Sequence, residues 1–469
     1  MASFHIENFG CRAARADGEA IGARLFSSGH CMQQILEAEV VIVNTCTVTA
    51  EADRQARAFI RRTNRLNPAA KIVVTGCYAQ RAPTELAAMQ GVAAVVGNSH
   101  KALAPEIVVD LLRQPSPRTA AQDSLISVQS LLAPQVSTAQ IWANDEFAHT
   151  FIEEAQLKPG TQTRPNLKIQ EGCANRCTFC VIPLTRGPSK SLPYAAVIRQ
   201  VEGFVAAGGN ELVLSGINLG RWGREFDRSD RTSLASLVRH ILTRTALPRL
   251  RLSSIEPMDW DDELIGLMAE FAGPEADEPR LARHAHLPLQ SGSDAVLRRM
   301  HRRYRPWHYA ARVEALVRAA GPCLTLGADV MVGFPGETDA EFEETVAFIR
   351  ALPFGYLHLF PFSPRPGTRG WALHAAAPVA SQIAEERMNV LRALAREKTF
   401  AHRSRMIGRE LAAITLHTPP ALAARGKTEA LTDNFLPVEL EGTYAANELI
   451  RVNITGLASD GALAAYPAA

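Results

Sequence analysis

Over the first 112 residues, short apolar and largely β-branched runs alternate with longer stretches of helical character. The runs are residues 4–9, 40–44 and 71–75, with 92–96 as a candidate fourth; helical candidates such as 50–65 and 84–90 lie between them. Near-continuous apolar strands separated by helices predict a parallel sheet, hence an α/β domain. The same alternation returns over 165–400. Strands are predicted at 167–170, 211–217, 250–255, 284–289, 324–332 and 356–360, and helices at 195–207, 233–244, 295–301, 308–320, 337–351 and 381–398. Six β/α pairs predict a second α/β region whose strand C-termini form the mouth of a site, as in β/α barrels. Residues 401–469 change character. Short strands at 411–416, 427–431, 436–440 and 449–454, punctuated by glycine, predict a small all-β barrel. Between the α/β regions, 113–164 reads as an irregular connector with no assigned chemistry.

Composition adds boundaries. The chain has 469 residues, which at roughly 150 per domain fits about three domains. It is 47% hydrophobic and 21% charged, as soluble globular proteins are. No apolar stretch reaches the roughly 18 residues of a membrane span. The N-terminus carries no basic region followed by an apolar core, so a cytoplasmic protein without a membrane partner is expected. Eight cysteines in so long a chain do not make a disulfide scaffold and fit thiols kept reduced for metal. A net charge of +2 predicts no global attraction to nucleic acid, so any RNA-binding surface must be local.

The cysteines carry the chemistry. Cys173-Ala174-Asn175-Arg176-Cys177-Thr178-Phe179-Cys180 is a C-x₃-C-x₂-C loop directly after the strand at 167–170. Three thiolates hold three irons of a cubane cluster and leave the fourth iron without a protein ligand. Zinc would ask for a fourth ligand from a nearby Cys or His pair. None follows: the next cysteine is Cys323, and His284 and His286 are distant in sequence. Cys11, Cys46 and Cys77 each stand just after a different N-terminal strand. In an open parallel sheet the strand C-termini share one edge, where ligands bind. Three cysteines there predict a second three-thiolate metal site, against the ordinary use of cysteine as a small buried residue. Cys31 and Cys323 read as packing thiols.

The spacing and position of the 173–180 run resemble the radical S-adenosylmethionine (SAM) superfamily. With Asn44-Thr45-Cys46-Thr47-Val48-Thr49 and Thr75-Gly76-Cys77-Tyr78-Ala79-Gln80 upstream, nearly the whole chain resembles the two-cluster methylthiotransferases. Ala52-Asp53-Arg54 and Leu252-Ser253-Ser254-Ile255-Glu256-Pro257 are most similar to the MtaB-type branch, which acts on N6-threonylcarbamoyladenosine of tRNA. One departure is visible: where the family has an Asn three positions after the first cysteine and then an acidic-Ser-Glu stretch, this chain has Ala14 and Asp17-Gly18-Glu19. That puts the supporting contacts of the Cys11 loop in doubt.

The resemblance implies a Rossmann-like N-terminal domain, a partial (β/α)₆ radical SAM barrel and a C-terminal TRAM module. It implies two [4Fe–4S] clusters and SAM as cofactors. The cluster on Cys173, Cys177 and Cys180 would pass one electron to SAM, releasing methionine and a 5′-deoxyadenosyl radical. The cluster on Cys11, Cys46 and Cys77 would supply sulfur to C2 of adenosine 37, and a second SAM would methylate it. The partners implied are a tRNA anticodon loop and a low-potential electron donor, with no stable protein partner.

Other residues are candidates for ligand contact. Gly208 and Gly209, before the second core strand, resemble the glycine segment that contacts the SAM amino group. Gln290, at the polar tip of the fourth strand, is a candidate for SAM or substrate. Asp329 lies inside an apolar strand and needs a ligand or an arginine partner, since a buried carboxylate is costly unpaired. The run Arg298-Arg299-Met300-His301-Arg302-Arg303-Tyr304-Arg305 has no acidic residue, and with Trp307 it suits phosphate contact and base stacking. In the C-terminal barrel, Arg403, Arg405 and Lys427, with Arg409, Arg425 and Arg451, are candidates for a phosphate-contacting patch. Three competing functions remain at this point. They are methylthiolation of isopentenyl-adenosine in tRNA, methylthiolation of an aspartate in a ribosomal protein, and an RNA-binding electron carrier. An open iron has no use in a carrier.

Overall fold

The computed structural model describes residues 2–114, 139–147, 152, 163–227, 232–274, 276 and 278–468. The N-terminal sheet is parallel, in the order β2-β1-β3-β4-β5-β6. Its strands are β1 (Ser3–Asn8), β2 (Cys31–Met32), β3 (Val40–Thr45), β4 (Lys71–Gly76), β5 (Val92–Gly97) and β6 (Gln140–Trp142). Alternate residues of the central strands feed separate cores on the two faces. Val41, Val43, Ile72 and Val74 pack on one side, Val40, Ile42 and Val73 on the other. That is why these strands read as unbroken apolar runs. The connector is therefore not wholly outside the fold: Gln140–Trp142 adds an edge strand to this sheet. Its proline-rich ends at 115–118 and 158–160 lie outside the described residues.

The core holds β7 (Asn166–Glu171), β8 (Lys190–Ser191), β9 (Glu211–Gly216), β10 (Arg249–Leu252), β11 (His284–His286), β12 (Thr325–Val332) and β13 (Phe354–Pro361). Six of them run parallel in the order β7-β9-β10-β11-β12-β13. A parallel bridge between Leu250 and Leu281 joins the two sheets, and short β8 pairs antiparallel on the outer edge of β7. The predicted partial barrel is thus present with all six strands. The helix Asp262–Ala272, absent from the sequence expectations, sits between β10 and β11, and its Leu264, Leu267 and Met268 join the main core. The helix Arg12–Ser27 of the N-terminal domain packs across β7 and β9, so the two domains share a face.

The C-terminal strands β14 (Glu410–Thr415), β15 (Lys427–Thr432), β16 (Pro437–Glu441), β17 (Leu449–Leu457) and β18 (Leu463–Pro467) close into a barrel in the order β14-β15-β16-β18-β17. The fifth strand, Leu463–Pro467, is an addition to the four expected; it pairs with both β16 and β17 and so completes the closure. The expected boundary at 400/401 is crossed by the helix Ser381–Ser404, which carries the chain from core into barrel without a break.

Candidate active site

Sheet topology gathers the first three cysteines. Gly10 adopts φ +105°, and a Cβ there would lie 2.4 Å from Cys46 Cβ and 2.9 Å from its Sγ. Only glycine lets the loop after β1 approach the loop after β3 so closely. Cys46 and Cys77 are buried, and Cys11 is exposed. Burial, then the nearby Cys77 and Cys11, pushes the Cys46 thiol up to about 12. Arg186 Nε donates to Cys77 Sγ at 3.2 Å and Asn98 Nδ2 at 3.4 Å. The Cys11 loop has its own supports. Asn44 Nδ2 donates to the Ala14 carbonyl, and Asp17 enters a buried ion network between the domains. In that network Asp17 and Glu171 meet Arg186, Lys168 and Lys101. The departure at 14–19 is therefore filled by Asp17, not left unsupported. Burial works against the Arg186 charge, but the thiols and these carboxylates hold it well above its ordinary value. Cations outnumber carboxylates here, and the surplus guanidinium faces the thiols.

The second set stands on the loop after β7. Cys180 N donates to the Cys177 carbonyl at 3.1 Å, closing the loop on itself. Asn175 N and Asn218 Nδ2 approach Cys173 Sγ at 3.4 and 3.5 Å, and Arg302 Nη1 donates to Cys177 Sγ at 3.2 Å. Burial and then the Cys177 charge push the Cys180 thiol up to about 12. Arg302 is buried and also reaches Glu256 at 2.6 Å and the hydroxyl of Tyr304 at 3.2 Å. That hydroxyl lies 2.7 Å from each of the Pro288 and Leu289 carbonyls.

Both sets suit iron–sulfur clusters better than single ions. Each set is three thiols, whereas a structural zinc closes on four ligands. A cubane spreads its thiolates over separate irons and accepts N–H donors at sulfur. A cubane held on either set of three thiols would keep one iron for another ligand.

Both sets open onto one cavity of about 670 Å³, lined by Cys11, Cys173, Cys177 and Cys180. Its wall also includes Ser215–Asn218 at the C-terminal end of β9, Ser253, Ser254 and Glu256 beyond β10, Gln290, and Asp329 and Met331 of β12. Phe435 of the C-terminal barrel reaches the far end. Three regions of the chain thus enclose one chamber.

The candidates from sequence divide. Gln290 is on the wall, with φ +63° and Oε1 without a hydrogen-bond partner. Asp329 is on the wall too, but its partners are histidines, not an arginine. His286 Nε2 lies 3.3 Å and His358 Nδ1 3.2 Å from its Oδ1. Burial raises the Asp329 carboxyl, yet the two histidines outweigh it and keep it ionised below its usual range. Gly208 and Gly209 are not brought to the cavity. They end the helix Tyr194–Ala206, Gly208 N bonding to Val205 O and Gly209 N to Phe204 O. They precede β9, whereas the cavity lies past its C-terminal end, where Gly216 stands.

The basic run is paired within the fold. The acidic partners it lacks in sequence arrive from elsewhere in the fold. Arg298 and Arg305 pair with Asp294, Arg299 with Glu341, and Arg302 with Glu256. Tyr304 is buried, and Arg303 and Trp307 are exposed. In the barrel, Lys427 is matched by Glu439 and Glu441, and Arg403 bonds to the Gly461 carbonyl. Arg405 is exposed beside His402. Arg186 and Asn218 were missed because a thiol-directed donor far from its cysteine in sequence leaves no spacing signal. Cys31 is half-buried, and Cys323 is buried against the C-terminal barrel, as packing thiols are.

Two family models match the chain: the uncharacterized protein family UPF0004 over residues 3–97 and the radical SAM superfamily over 167–349. The chain is 32% identical to the threonylcarbamoyladenosine tRNA methylthiotransferase MtaB of Aquifex aeolicus, covering 96% of this chain and 99% of that protein. It is 34% identical to the MtaB of Bacillus subtilis, over 97% and 94% of the two chains. It is also 32% identical to the tRNA-2-methylthio-N(6)-dimethylallyladenosine synthase of Cereibacter sphaeroides, over 97% and 96%. Among solved structures, the radical SAM methyltransferase TsrM of Kitasatospora setae shares the fold at TM-score 0.50 and 16% identity, over 76% of this chain and 72% of that one.

Proposed function

This chain belongs to the radical SAM methylthiotransferases that modify tRNA, working with two [4Fe–4S] clusters and SAM, and on that premise we propose its substrate. The substrate is N6-threonylcarbamoyladenosine at position 37 of the anticodon loop, converted to its 2-methylthio derivative. The clusters and SAM supply the radical and sulfur chemistry that side chains lack. The chain's own residues hold, orient and enclose. Cys173, Cys177 and Cys180 hold the SAM-binding cluster, with Arg302 and Asn218 donating to their sulfurs. Cys11, Cys46 and Cys77 hold the second cluster, with Arg186 and Asn98 behind Cys77. Ser215–Asn218 and Gln290, on the wall beside Cys173, contact SAM. A splayed loop base fits the remaining chamber, and Phe179, Phe360 and Phe362 keep water from it.

The observation that carries the choice of substrate is the charge of the chamber's far end. Arg12 is on the wall there; off the wall, around the N-terminal ends of β9 and β10, Arg164, Arg249 and Arg251 share one carboxylate, Glu211, at 3.6, 3.4 and 2.8 Å. Burial raises the Glu211 carboxyl, but those arginines bring it down to about 2. Surplus cationic charge suits a substituent ending in a carboxylate and disfavours an apolar isopentenyl group. The similarity to the dimethylallyladenosine synthase keeps isopentenyl-adenosine as the second reading. The test is mass spectrometry of tRNA nucleosides from cells with and without this gene. Loss of 2-methylthio-N6-threonylcarbamoyladenosine, with its unthiolated precursor accumulating, is the expected result. An unchanged level overturns the substrate.

A further inference from the structure

Arg12 follows directly on Cys11, and its side chain lines the cavity. Among the described residues it has no ion-pair or hydrogen-bond partner; its guanidinium carbon lies 5.7 Å from the centroid of the Phe435 ring. The neighbouring charges do not neutralise it. Glu211 is shared by three other arginines, and Asp329 is engaged by His286 and His358. Arg251 Nη1 and Arg249 Nε are buried without hydrogen-bond partners. A guanidinium that is always charged and carries five N–H donors, left unpaired on the chamber wall, calls for an anion.

Phe435 shows that the position is held, not incidental. It sits at φ +68°, in the turn between β15 and β16 of the C-terminal barrel. A bulky residue keeps that conformation only when its surroundings enforce it. Here they do: Asp433 pairs with Arg283, and Asn434 Nδ2 donates to the Cys323 carbonyl at 2.8 Å. Arg251 also stacks on this ring, its guanidinium carbon 5.3 Å from the centroid.

We propose that Arg12 is the receptor for the carboxylate of the substrate's N6 substituent, with Phe435 fixing the guanidinium so that its fork is free for a bidentate pair. This rests on the threonylcarbamoyladenosine reading and names the residue that selects it. A carboxylate on Arg12 would be held beside Cys11, and so near the second cluster, on the Watson–Crick side of the base where C2 lies. An isopentenyl group would leave Arg12 unpaired and buried beneath it, which is how a site rejects a substrate lacking the expected polar group.

The test uses the full-length protein with both clusters and three anticodon stem-loops. One carries threonylcarbamoyladenosine, one its methyl ester, and one isopentenyl-adenosine. Binding is read by fluorescence anisotropy and turnover by kcat and KM. Wild type should favour the free carboxylate over the ester by roughly 10–100-fold. Arg12→Gln should lose most of that preference through the acid alone, in Kd and KM more than kcat, with ester binding within about twofold; Arg12→Lys should recover part of it. Equal losses on acid and ester, or a raised KM for SAM, would mean that Arg12 only balances the cluster or serves SAM, and overturns the proposal. So does a wild type that treats acid and ester alike. A wild type that turns over only the isopentenyl stem-loop overturns the substrate reading itself, a result distinct from an active acid substrate that ignores Arg12.

Discussion

The two thiol sets hold the same kind of group by opposite constructions. Cys173, Cys177 and Cys180 belong to one loop, so local chain geometry places all three, and one neighbouring arginine, Arg302, completes the set. Cys11, Cys46 and Cys77 come from three strands and meet only because those strands are parallel neighbours in the order β1-β3-β4. Distance in sequence is matched by a heavier foundation. Behind Cys77 stands Arg186, fully buried and joined to Asp17 and Glu171 of different domains. The difference teaches that a loop site can be altered locally, whereas the strand-end site is tied to how the domains dock.

The largest expected effect separates the two sets by chemistry. Cys177→Ala should lower bound iron from about eight to about four per chain, and abolish both 5′-deoxyadenosine and product. Cys46→Ala should lose a similar amount of iron and all product, yet still form 5′-deoxyadenosine. Iron analysis and mass spectrometry of the reaction decide it. Product from Cys46→Ala, or no SAM cleavage by it, would break the division of labour.

A smaller effect tests the foundations. Arg186→Gln leaves Asp17 and Glu171 buried with one cation fewer, a loss of about 3–5 kcal/mol for a broken buried pair. Arg302→Gln leaves Glu256, which retains 21% of its side-chain exposure, so a loss nearer about 1–3 kcal/mol is expected. Thermal unfolding of the apoprotein should rank Arg186→Gln well below Arg302→Gln. Equal Tm values would show that the strand-end set is no more deeply tied to domain docking than the loop set.

How much of this was legible follows the same division. C-x₃-C-x₂-C could be read as spacing alone, and the strand-end cysteines could be read once the sheet was known to be parallel. The six core strands were visible as short segments set between helical stretches, although β7 and β10 interleave charged residues among their apolar ones. The last barrel strand carries no such run: Leu463–Pro467 is short and alanine-rich, and only its pairing with β16 and β17 defines it. Charge was the least legible property. The arginines of 298–305 look free in sequence, but Asp294, Glu341 and Glu256 reach them from other elements. Arg12 is the reverse case: nothing in its local sequence marks it, and its lack of a partner appears only when the chamber is closed around it.

The smallest expected effect sharpens the same point along one strand. Gly208 and Gly216 stand at opposite ends of β9. Gly216 is on the cavity wall, and a Cβ there would meet Gln170 Cβ at 2.8 Å and its Oε1 at 3.0 Å. Gln170 Oε1 in turn accepts from Asn218 N, so Gly216→Ala disturbs the segment beside Cys173 and should raise KM for SAM about tenfold or more. Gly208 has φ +84° and open space around its Cβ position, so Gly208→Ala should cost only the strain of a left-handed residue, about 1 kcal/mol. KM for SAM should stay within about twofold. If Gly208→Ala instead weakens SAM binding as much as Gly216→Ala does, the ligand reaches the N-terminal end of the strand, and the chamber is not where the cofactor sits.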